Sequence, residues 1–148
     1  MNYLIRLMSL EDKKEVLQMM KVFYESDAVL SNGSNEIFNS DFDNCVNDNP
    51  YLEGYIFTLN NIIIGYAMIA KSFSTEFGKP CIWIEDLYLK EEYRNKGIGN
   101  KFFKFIEEKY PNTIMRLEAE ESNKVALHVY KREGFKILPY IELKKELD

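Results

Sequence analysis

Residues 81–99 have the sequence CIWIEDLYLKEEYRNKGIG, which holds the most informative local pattern of the chain. Aliphatic and aromatic residues dominate its first part and predict a strand at Cys81–Leu89. A charged loop follows, and Gly97 and Gly99 then lead into a helix predicted at Gly97–Tyr110. A strand, a glycine-rich turn and a helix N-terminus bring several unpaired backbone N–H groups to one point, which suits a phosphate or pyrophosphate.

Two common nucleotide-binding loops do not fit this turn. A Walker A loop needs G-x-x-x-x-G-K-[ST], which occurs nowhere in the chain. A dinucleotide-binding loop needs a third glycine, and Phe102 occupies that position. Residues 94–99 instead follow the pattern R/Q-x-x-G-x-G/A at a strand-to-helix junction.

Hydrophobic periodicity predicts the order β-α-α-β-β-β-α-β-α-β, with Asn60-Asn61 as a two-residue hairpin turn. That order predicts one mixed α/β domain over residues 1–148, in which helices cover a largely antiparallel sheet with a parallel portion in its C-terminal half. The predicted strands are Tyr3–Leu7, Tyr51–Leu59, Ile62–Ser72, Cys81–Leu89, Ile114–Ala119 and Lys136–Leu143, and the predicted helices run from Ser9 to about Glu25, through Ile37–Val46, over Gly97–Tyr110 and over Lys124–Arg132.

Composition and charge exclude several protein classes. The 148 residues are 46% hydrophobic and 29% charged, which is globular and excludes disorder and collagen-like fibres. A net charge of −5 argues against nucleic acid as a partner and favours cationic small molecules or basic peptides.

The chain shows no pattern of a secreted, membrane or metal-binding protein. Cys45 and Cys81 lie far apart, the single histidine excludes the usual zinc sites, and no apolar run is long enough to span a membrane. The first ten residues do not resemble a signal peptide. We therefore expect a reduced cytoplasmic protein with no metal and no membrane partner.

A second pattern lies downstream, where residues 123–135 fit N-x-x-A-x-x-x-Y-x-x-x-G-F. The two motifs together, in this order and on these elements, resemble the GNAT acetyltransferase superfamily over nearly the whole chain. Residues 84–89 are similar to the family's central strand, and residues 84–88 to that strand in diamine and polyamine acetyltransferases. The resemblance implies a single acetyltransferase domain with a mixed, largely antiparallel sheet and helices on both faces. Asn95 stands where many members have glycine, and because asparagine tolerates left-handed backbone, we expect the turn to persist.

The resemblance implies an acyltransferase that uses acetyl-CoA as its acyl donor. Backbone N–H groups of residues 95–100 would hold the pyrophosphate, Arg94 or Lys96 would add charge at the rim, and backbone near Leu87 and Leu89 would pair with the pantetheine arm like another strand. The implied cofactor-binding residues are Leu87, Tyr88, Leu89, Arg94, Asn95, Lys96, Gly97, Ile98, Gly99, Asn100, Asn123, Ala126 and Tyr130.

The resemblance also implies catalytic roles. Tyr130 would be the general acid that protonates the CoA thiolate, and the alternative is a core aromatic residue whose hydroxyl is hydrogen-bonded. Glu85 and Asp86 are adjacent on a strand and should therefore point to opposite faces. Glu85 shares parity with Leu87 and Leu89, so it is our choice for the general base, through water, with Asp86 as the alternative. Asn123 is expected to cap its helix, which is compatible with a contact to CoA.

The implied acceptor is a primary amine of a cationic molecule: a polyamine, an aminoglycoside, or the lysine or N-terminus of a peptide or protein. The predicted acceptor-binding residues are Glu25, Asp27, Glu85 and Asp86, and Glu36, Asp41 and Asp43 add negative charge in the region of the first two helices. A catalytically silent acyl-CoA sensor is the alternative from another class, against which Tyr130 and a strand carboxylate argue. Whether the chain forms a homodimer stays open.

Overall fold

A five-stranded sheet organises residues 2–147, which are the residues that the computed structural model describes. The strands lie in chain order, β1-β2-β3-β4-β5. Their bounds are β1 Tyr3–Leu7, β2 Leu52–Leu59, β3 Ile62–Ser74, β4 Lys79–Leu89 and β5 Ile114–Leu117, and the helices are α1 Lys13–Tyr24, α2 Asn35–Val46, α3 Ile98–Lys109 and α4 Lys124–Arg132.

Strand pairing confirms the mixed sheet. Neighbours from β1 to β4 are antiparallel, and β4 pairs with β5 in parallel. Asn60 and Asn61 form the predicted hairpin turn with φ angles of 51° and 68°. Both angles are left-handed, which asparagine adopts more readily than most residues because its short polar side chain bonds locally.

Each face of the sheet has its own hydrophobic core, so helices cover both faces as expected. One core joins α1 and α2 to the sheet, with Val16, Phe42 and Tyr66 fully buried. The other joins α3 to the opposite face, with Phe57 and Phe102 at its centre. This division follows from the alternation of side chains along a strand, since successive residues contribute to opposite cores.

The strand predicted at Lys136–Leu143 is wrong. Residues 136–147 form neither helix nor strand. Ile137 and Ile141 are 66% and 88% exposed, so the apolar pattern that predicted a strand has no face to cover it. Pro139 also lacks the N–H group that a ladder needs. Strand propensity depends on pairing with a neighbouring strand, and no strand of the described sheet pairs with residues 136–147.

Candidate active site

The groove of interest begins where β4 and β5 separate. Their ladder runs from the pair Cys81–Ile114 to the pair Ile84–Leu117, whereas β4 continues to Leu89. Residues 85–89 therefore have one edge without a strand partner in the described part of the chain. Free N–H and C=O groups on such an edge can pair with an extended ligand as with another strand.

A groove of about 240 Å³ lies beside this free edge. Side chains of β4, α3 and α4 line it, and most of them were predicted from the two motifs. The predicted lining residues are Leu87, Leu89, Arg94, Gly99, Asn100, Ala126 and Tyr130. Sequence reasoning missed Phe103, Val129 and Glu133. Each of the three lies three or four positions from a motif residue on the same helix, so helical spacing was the signal that could have found them.

The turn before α3 has the backbone that an anion-binding loop requires. Asn95 and Gly97 are left-handed, with φ angles of 62° and 80°, which confirms that asparagine supports the turn. The first turn of α3 carries N–H groups without partners inside the helix, and the helix dipole adds positive potential there. A Cβ built on Gly97 would meet no atom within 4 Å, so the space in front of the loop is open. These features fit a pyrophosphate.

A hydrogen bond from Arg94 connects this loop to the end of β4. The Nε–H of Arg94 donates to the carbonyl oxygen of Leu89 at 2.8 Å, and its guanidinium lies 5.6 Å from the centre of the Tyr88 ring. Lys96 is exposed on the same loop. The side chains of Tyr88 and Ile98 are buried, in the α1–α2 core and the α3 core respectively. Those two residues offer the groove only their backbone.

The second motif supplies one helix cap and one groove residue. Asn123 caps α4 as expected, because its Oδ1 accepts the Ala126 N–H at 3.2 Å. Tyr130 is half-buried, with its ring centre 6.3 Å from that of Phe103 and 6.0 Å from that of Phe135. Burial raises the pKa of the Tyr130 hydroxyl, so this group keeps its proton at neutral pH.

A β-bulge at Glu85 overturns one expectation about the two strand carboxylates. Asp86 pairs with Met68 and Ile84 with the adjacent Ile69, so Glu85 is an extra residue in β4. A bulge breaks the alternation of side chains. Ile84 and Leu87, on either side of the bulge, both pack into the α3 core. The regular alternation that placed Glu85 on the same face as Leu87 and Leu89 therefore does not hold.

Asp86 is a buried carboxylate held by two tyrosines. The residue is 3% exposed, its Oδ1 accepts the Tyr24 hydroxyl at 2.8 Å, and its Oδ2 accepts the Tyr66 hydroxyl at 2.8 Å. Burial raises its pKa, and the two hydrogen bonds oppose that effect. No ion pair with Lys or Arg joins Asp86 within residues 2–147.

Asp41 and Glu85 extend the negative charge around Asp86. Burial, followed by the charges of Asp86 and Glu85, raises the pKa of Asp41 to about 6. Glu85 is exposed to solvent, but the protein around it partly desolvates its carboxyl, and this effect together with the charges of Asp86 and Glu142 raises its pKa. Neither Asp41 nor Glu85 forms an ion pair in the described part of the chain. Their shared negative potential favours a cation from solution.

A further acidic pair, Glu118 and Glu142, interacts electrostatically with Glu85. A hydrogen bond with Glu142, together with burial and the Glu142 charge, raises the pKa of Glu118 to about 7. Glu85 acts on the same group. By contrast, Glu25 and Asp27 are exposed after α1, and no hydrogen bond or ion pair between described residues joins them to β4. Sequence reasoning missed Tyr24 and Tyr66, which carry no local motif.

Comparison with known protein families decides the assignment. The model of the "Acetyltransferase (GNAT) family" matches residues 15–135. The chain belongs to the GNAT family. Its match includes β4, the α3 loop and the α4 motif, so both halves of the groove lie within the family region of this GNAT chain.

Sequence relatives and solved structures agree with this GNAT assignment. The thialysine N-epsilon-acetyltransferase of Bos taurus is 37% identical over 75 residues, which cover 49% of this chain. The chain spans about half the length of the curated relatives it matches, 44% of the bovine and 48% of the Sus scrofa protein.

Two structures share the fold over nearly their whole length. A possible acetyltransferase from Clostridium difficile 630 has a TM-score of 0.82 and 20% identity, with 99% of this chain and 98% of that chain covered. AAC(6')-Iy in complex with a CoA-S-monomethyl-acetylneamine bisubstrate analogue has a TM-score of 0.78 and 13% identity, with 100% of both chains covered. At these identities the likeness concerns the fold.

Within residues 2–147, no helix is both long and apolar enough to cross a membrane.

Proposed function

We propose that this GNAT chain is an acetyl-CoA-dependent N-acetyltransferase whose acceptor is a primary amine of a cationic small molecule. One observation carries the proposal. The bulge at Glu85 lies two residues before Leu87, which lines the groove fit for acyl-CoA, and directly before Asp86, whose carboxylate has no ion-pair partner among residues 2–147. A donor thioester and a positively charged amine would meet at this point of β4.

The residues of the groove fit an acyl-CoA. Backbone N–H groups of the α3 loop, around Gly97 to Asn100, would hold the pyrophosphate, and the free edge of β4 near Leu87 and Leu89 would pair with the pantetheine amides. The apolar side chains of Phe103 and Val129 would cover the arm. When bound, acetyl-CoA supplies the acetyl group as a reactive thioester. The solved Clostridium acetobutylicum neighbour that contains acetyl-CoA supports this donor.

Tyr130 is proposed as the general acid. Tyr130 lines the groove, and its hydroxyl keeps its proton at neutral pH. As the amine nitrogen bonds to the acetyl carbon, the carbon–sulfur bond breaks and the sulfur takes the phenolic proton. A phenol and a thiol have ordinary pKa values of about 10 and 8.5, which differ little, and burial makes the transfer more uphill by raising the pKa of Tyr130.

Glu85 is proposed as the general base that takes the proton of the amine, directly or through water. It is the exposed carboxylate at the bulge, and its raised pKa makes it a stronger base than an ordinary glutamate. Asp86 is nearly inaccessible and bonded to two tyrosines, so it contributes negative charge more readily than it collects a proton.

The charge of the site favours an acceptor with at least one ammonium group. The relatives' names include thialysine, and a structural neighbour holds an acetylneamine analogue, both of which are amines. Glu118 and Glu142 add negative charge beside Glu85, which favours acceptors that carry a second positive group. Small diamines, polyamines, aminoglycosides and thialysine are therefore the first acceptors to test.

An acceptor panel tests the proposal. Release of free CoA thiol from acetyl-CoA is measured with 1,4-diaminobutane, spermidine, thialysine, neamine and a lysine-containing peptide, each against a neutral alcohol analogue. We expect saturable, amine-dependent release with a cationic small molecule and none with the alcohol. Acetyl-CoA binding by calorimetry without release for any amine would instead identify a silent sensor. Preference for the peptide would shift the acceptor class.

A further inference from the structure

Tyr24 is a half-buried tyrosine at the end of α1 that belongs to neither family motif. Its ring packs against Phe23 and Phe38, with centres 5.2 Å from each. Packing on two sides fixes the ring, so its hydroxyl has a defined position in the wall between α1, α2 and β4.

The Tyr24 hydroxyl can form one further kind of hydrogen bond, as an acceptor. Its proton is donated to Asp86 Oδ1 at 2.8 Å, so its oxygen can only accept a further hydrogen bond. An ammonium group has three N–H donors and no acceptor, which is the complementary requirement. The bond to a carboxylate also polarises the phenol and increases the negative charge on its oxygen.

Tyr66 differs from Tyr24 in one respect. Both hydroxyls donate to Asp86 at 2.8 Å, but Tyr66 is fully buried whereas Tyr24 is half-buried. Asp86 itself is 3% exposed. Of the two tyrosines bonded to Asp86, Tyr24 is therefore the more exposed to solvent. The charges of Asp41 and Glu85 both raise the pKa of the Tyr24 hydroxyl.

We propose that Tyr24 is an acceptor-binding residue whose oxygen accepts an N–H of the acceptor ammonium, with Asp86 polarising it and Tyr66 only positioning Asp86. This inference rests on the proposed function for the identity of the ligand. It adds a neutral aromatic residue from α1 to a site that sequence reasoning built from carboxylates alone.

Calorimetric titration with 1,4-diaminobutane in the presence of CoA tests the inference without requiring turnover. Tyr24→Phe removes the accepting oxygen and keeps the ring, so its dissociation constant should rise roughly ten-fold, as for the loss of one hydrogen bond to a charged group. Tyr66→Phe removes the same kind of bond to Asp86 but not the contact with the ligand, so its constant should stay within a few-fold of wild type. Thermal melting of both variants monitors the fold.

Three outcomes would overturn the inference: equal weakening in the two variants, an unchanged Tyr24→Phe, or no binding of 1,4-diaminobutane by the wild-type chain. If Tyr24→Phe fails to fold, Asp86→Asn is used, because it leaves both hydroxyls without a charged acceptor. Asp86→Asn should weaken binding at least ten-fold, and unchanged binding would overturn the inference. Diamine binding that Tyr24→Phe weakens, in a wild type that turns over no amine, would retain this inference and reject the proposed activity.

Discussion

The two faces of β4 recognise ligands by different physical means. The groove beside α3 and α4 offers backbone N–H groups, a free strand edge and apolar side chains such as Phe103. The opposite side offers the carboxylates of Asp41, Glu85 and Asp86, which form no ion pair with another residue between positions 2 and 147. The first face is specified by backbone shape and the second by charge. We call the first the donor face and the second the acceptor face. Mutations on the donor face should therefore change acetyl-CoA binding, and mutations on the acceptor face should change binding of the amine.

The largest expected effect lies at Tyr130 in the groove beside α3 and α4. Tyr130→Phe keeps the ring that packs on Phe103 but removes the proposed proton donor, so turnover at saturating acetyl-CoA should fall by ~10²–10⁴-fold. Acetyl-CoA affinity should change little, because the interaction strengthens only as charge develops on sulfur. Stopped assays of turnover and a separate titration with acetyl-CoA check the two quantities.

The matched control for Tyr130 is Tyr110→Phe. Tyr110 donates to Glu53 at 2.6 Å at the far end of α3, outside the groove. That variant should lose stability and keep turnover. Turnover of Tyr130→Phe within a few-fold of wild type would mean that thiolate departure needs no acid from this residue.

The donor face should lose affinity for acetyl-CoA when a side chain covers the backbone N–H groups of the α3 loop. Gly97→Val places a β-branched residue at a φ angle of 80°, which strains the loop, and projects a side chain into the space proposed for pyrophosphate. Acetyl-CoA affinity should weaken by at least about ten-fold, because the added side chain keeps the pyrophosphate from the loop N–H groups and a hydrogen bond to a charged group is worth ~1.5–3 kcal/mol. Calorimetry with acetyl-CoA measures the change.

Gly78→Val is the matched control for Gly97→Val. Gly78 has a φ angle of 64° and equally open space around a Cβ, but it lies in the β3–β4 turn. It should cost comparable stability and leave acetyl-CoA affinity unchanged. Equal loss of affinity in both glycine variants would assign the effect to general destabilisation.

On the acceptor face, the charge of Asp41 should lower the stability of the fold and strengthen binding of a cationic acceptor. The pKa of Asp41 rises from its ordinary 3.8 to about 6 on folding, so the folded state holds the proton more tightly than the unfolded chain. Stability therefore falls as pH rises between these values, and the full penalty applies above the folded pKa. At pH 8, Asp41→Asn should raise the free energy of unfolding in urea by roughly 1 kcal/mol, allowing for solvent screening. The gain should shrink toward pH 4.

The same Asp41→Asn variant should raise the Michaelis constant for a diamine several-fold and leave that for acetyl-CoA unchanged. Steady-state kinetics at pH 8 measure both constants. A lower free energy of unfolding of the variant at pH 8, or a raised Michaelis constant for acetyl-CoA, would contradict the assignment of donor and acceptor binding to different faces.

Salt should produce the smallest effect. Raising ionic strength from ~0.1 M to ~1 M shortens the Debye length from ~10 Å to ~3 Å, so the Michaelis constant for a cationic acceptor should rise a few-fold. The constant for acetyl-CoA should shift independently, because its contacts are largely with backbone. A neutral or anionic compound as the best acceptor would be the opposite result.

The two faces also differed in how far the sequence predicted them. The donor face depends on left-handed backbone at residues 95 and 97 and on spacing along single helices. Both can be recognised from residues close together in the sequence. The acceptor face depends on a bulge at Glu85, which depends on the pairing of β3 with β4 and breaks the parity that the sequence implies. Tyr24 and Asp86 are 62 positions apart, so no local pattern could have joined them. The strand predicted at Lys136–Leu143 failed because propensity alone does not provide a partner edge.

Initial rates over a matrix of acetyl-CoA and acceptor concentrations test the central claim most directly. If the two ligands occupy opposite sides of β4 together and the amine attacks the donor directly, double-reciprocal plots at several fixed acceptor concentrations should intersect. Parallel lines, together with an acetylated enzyme detected by mass spectrometry, would show a covalent acyl-enzyme and contradict direct transfer at Glu85.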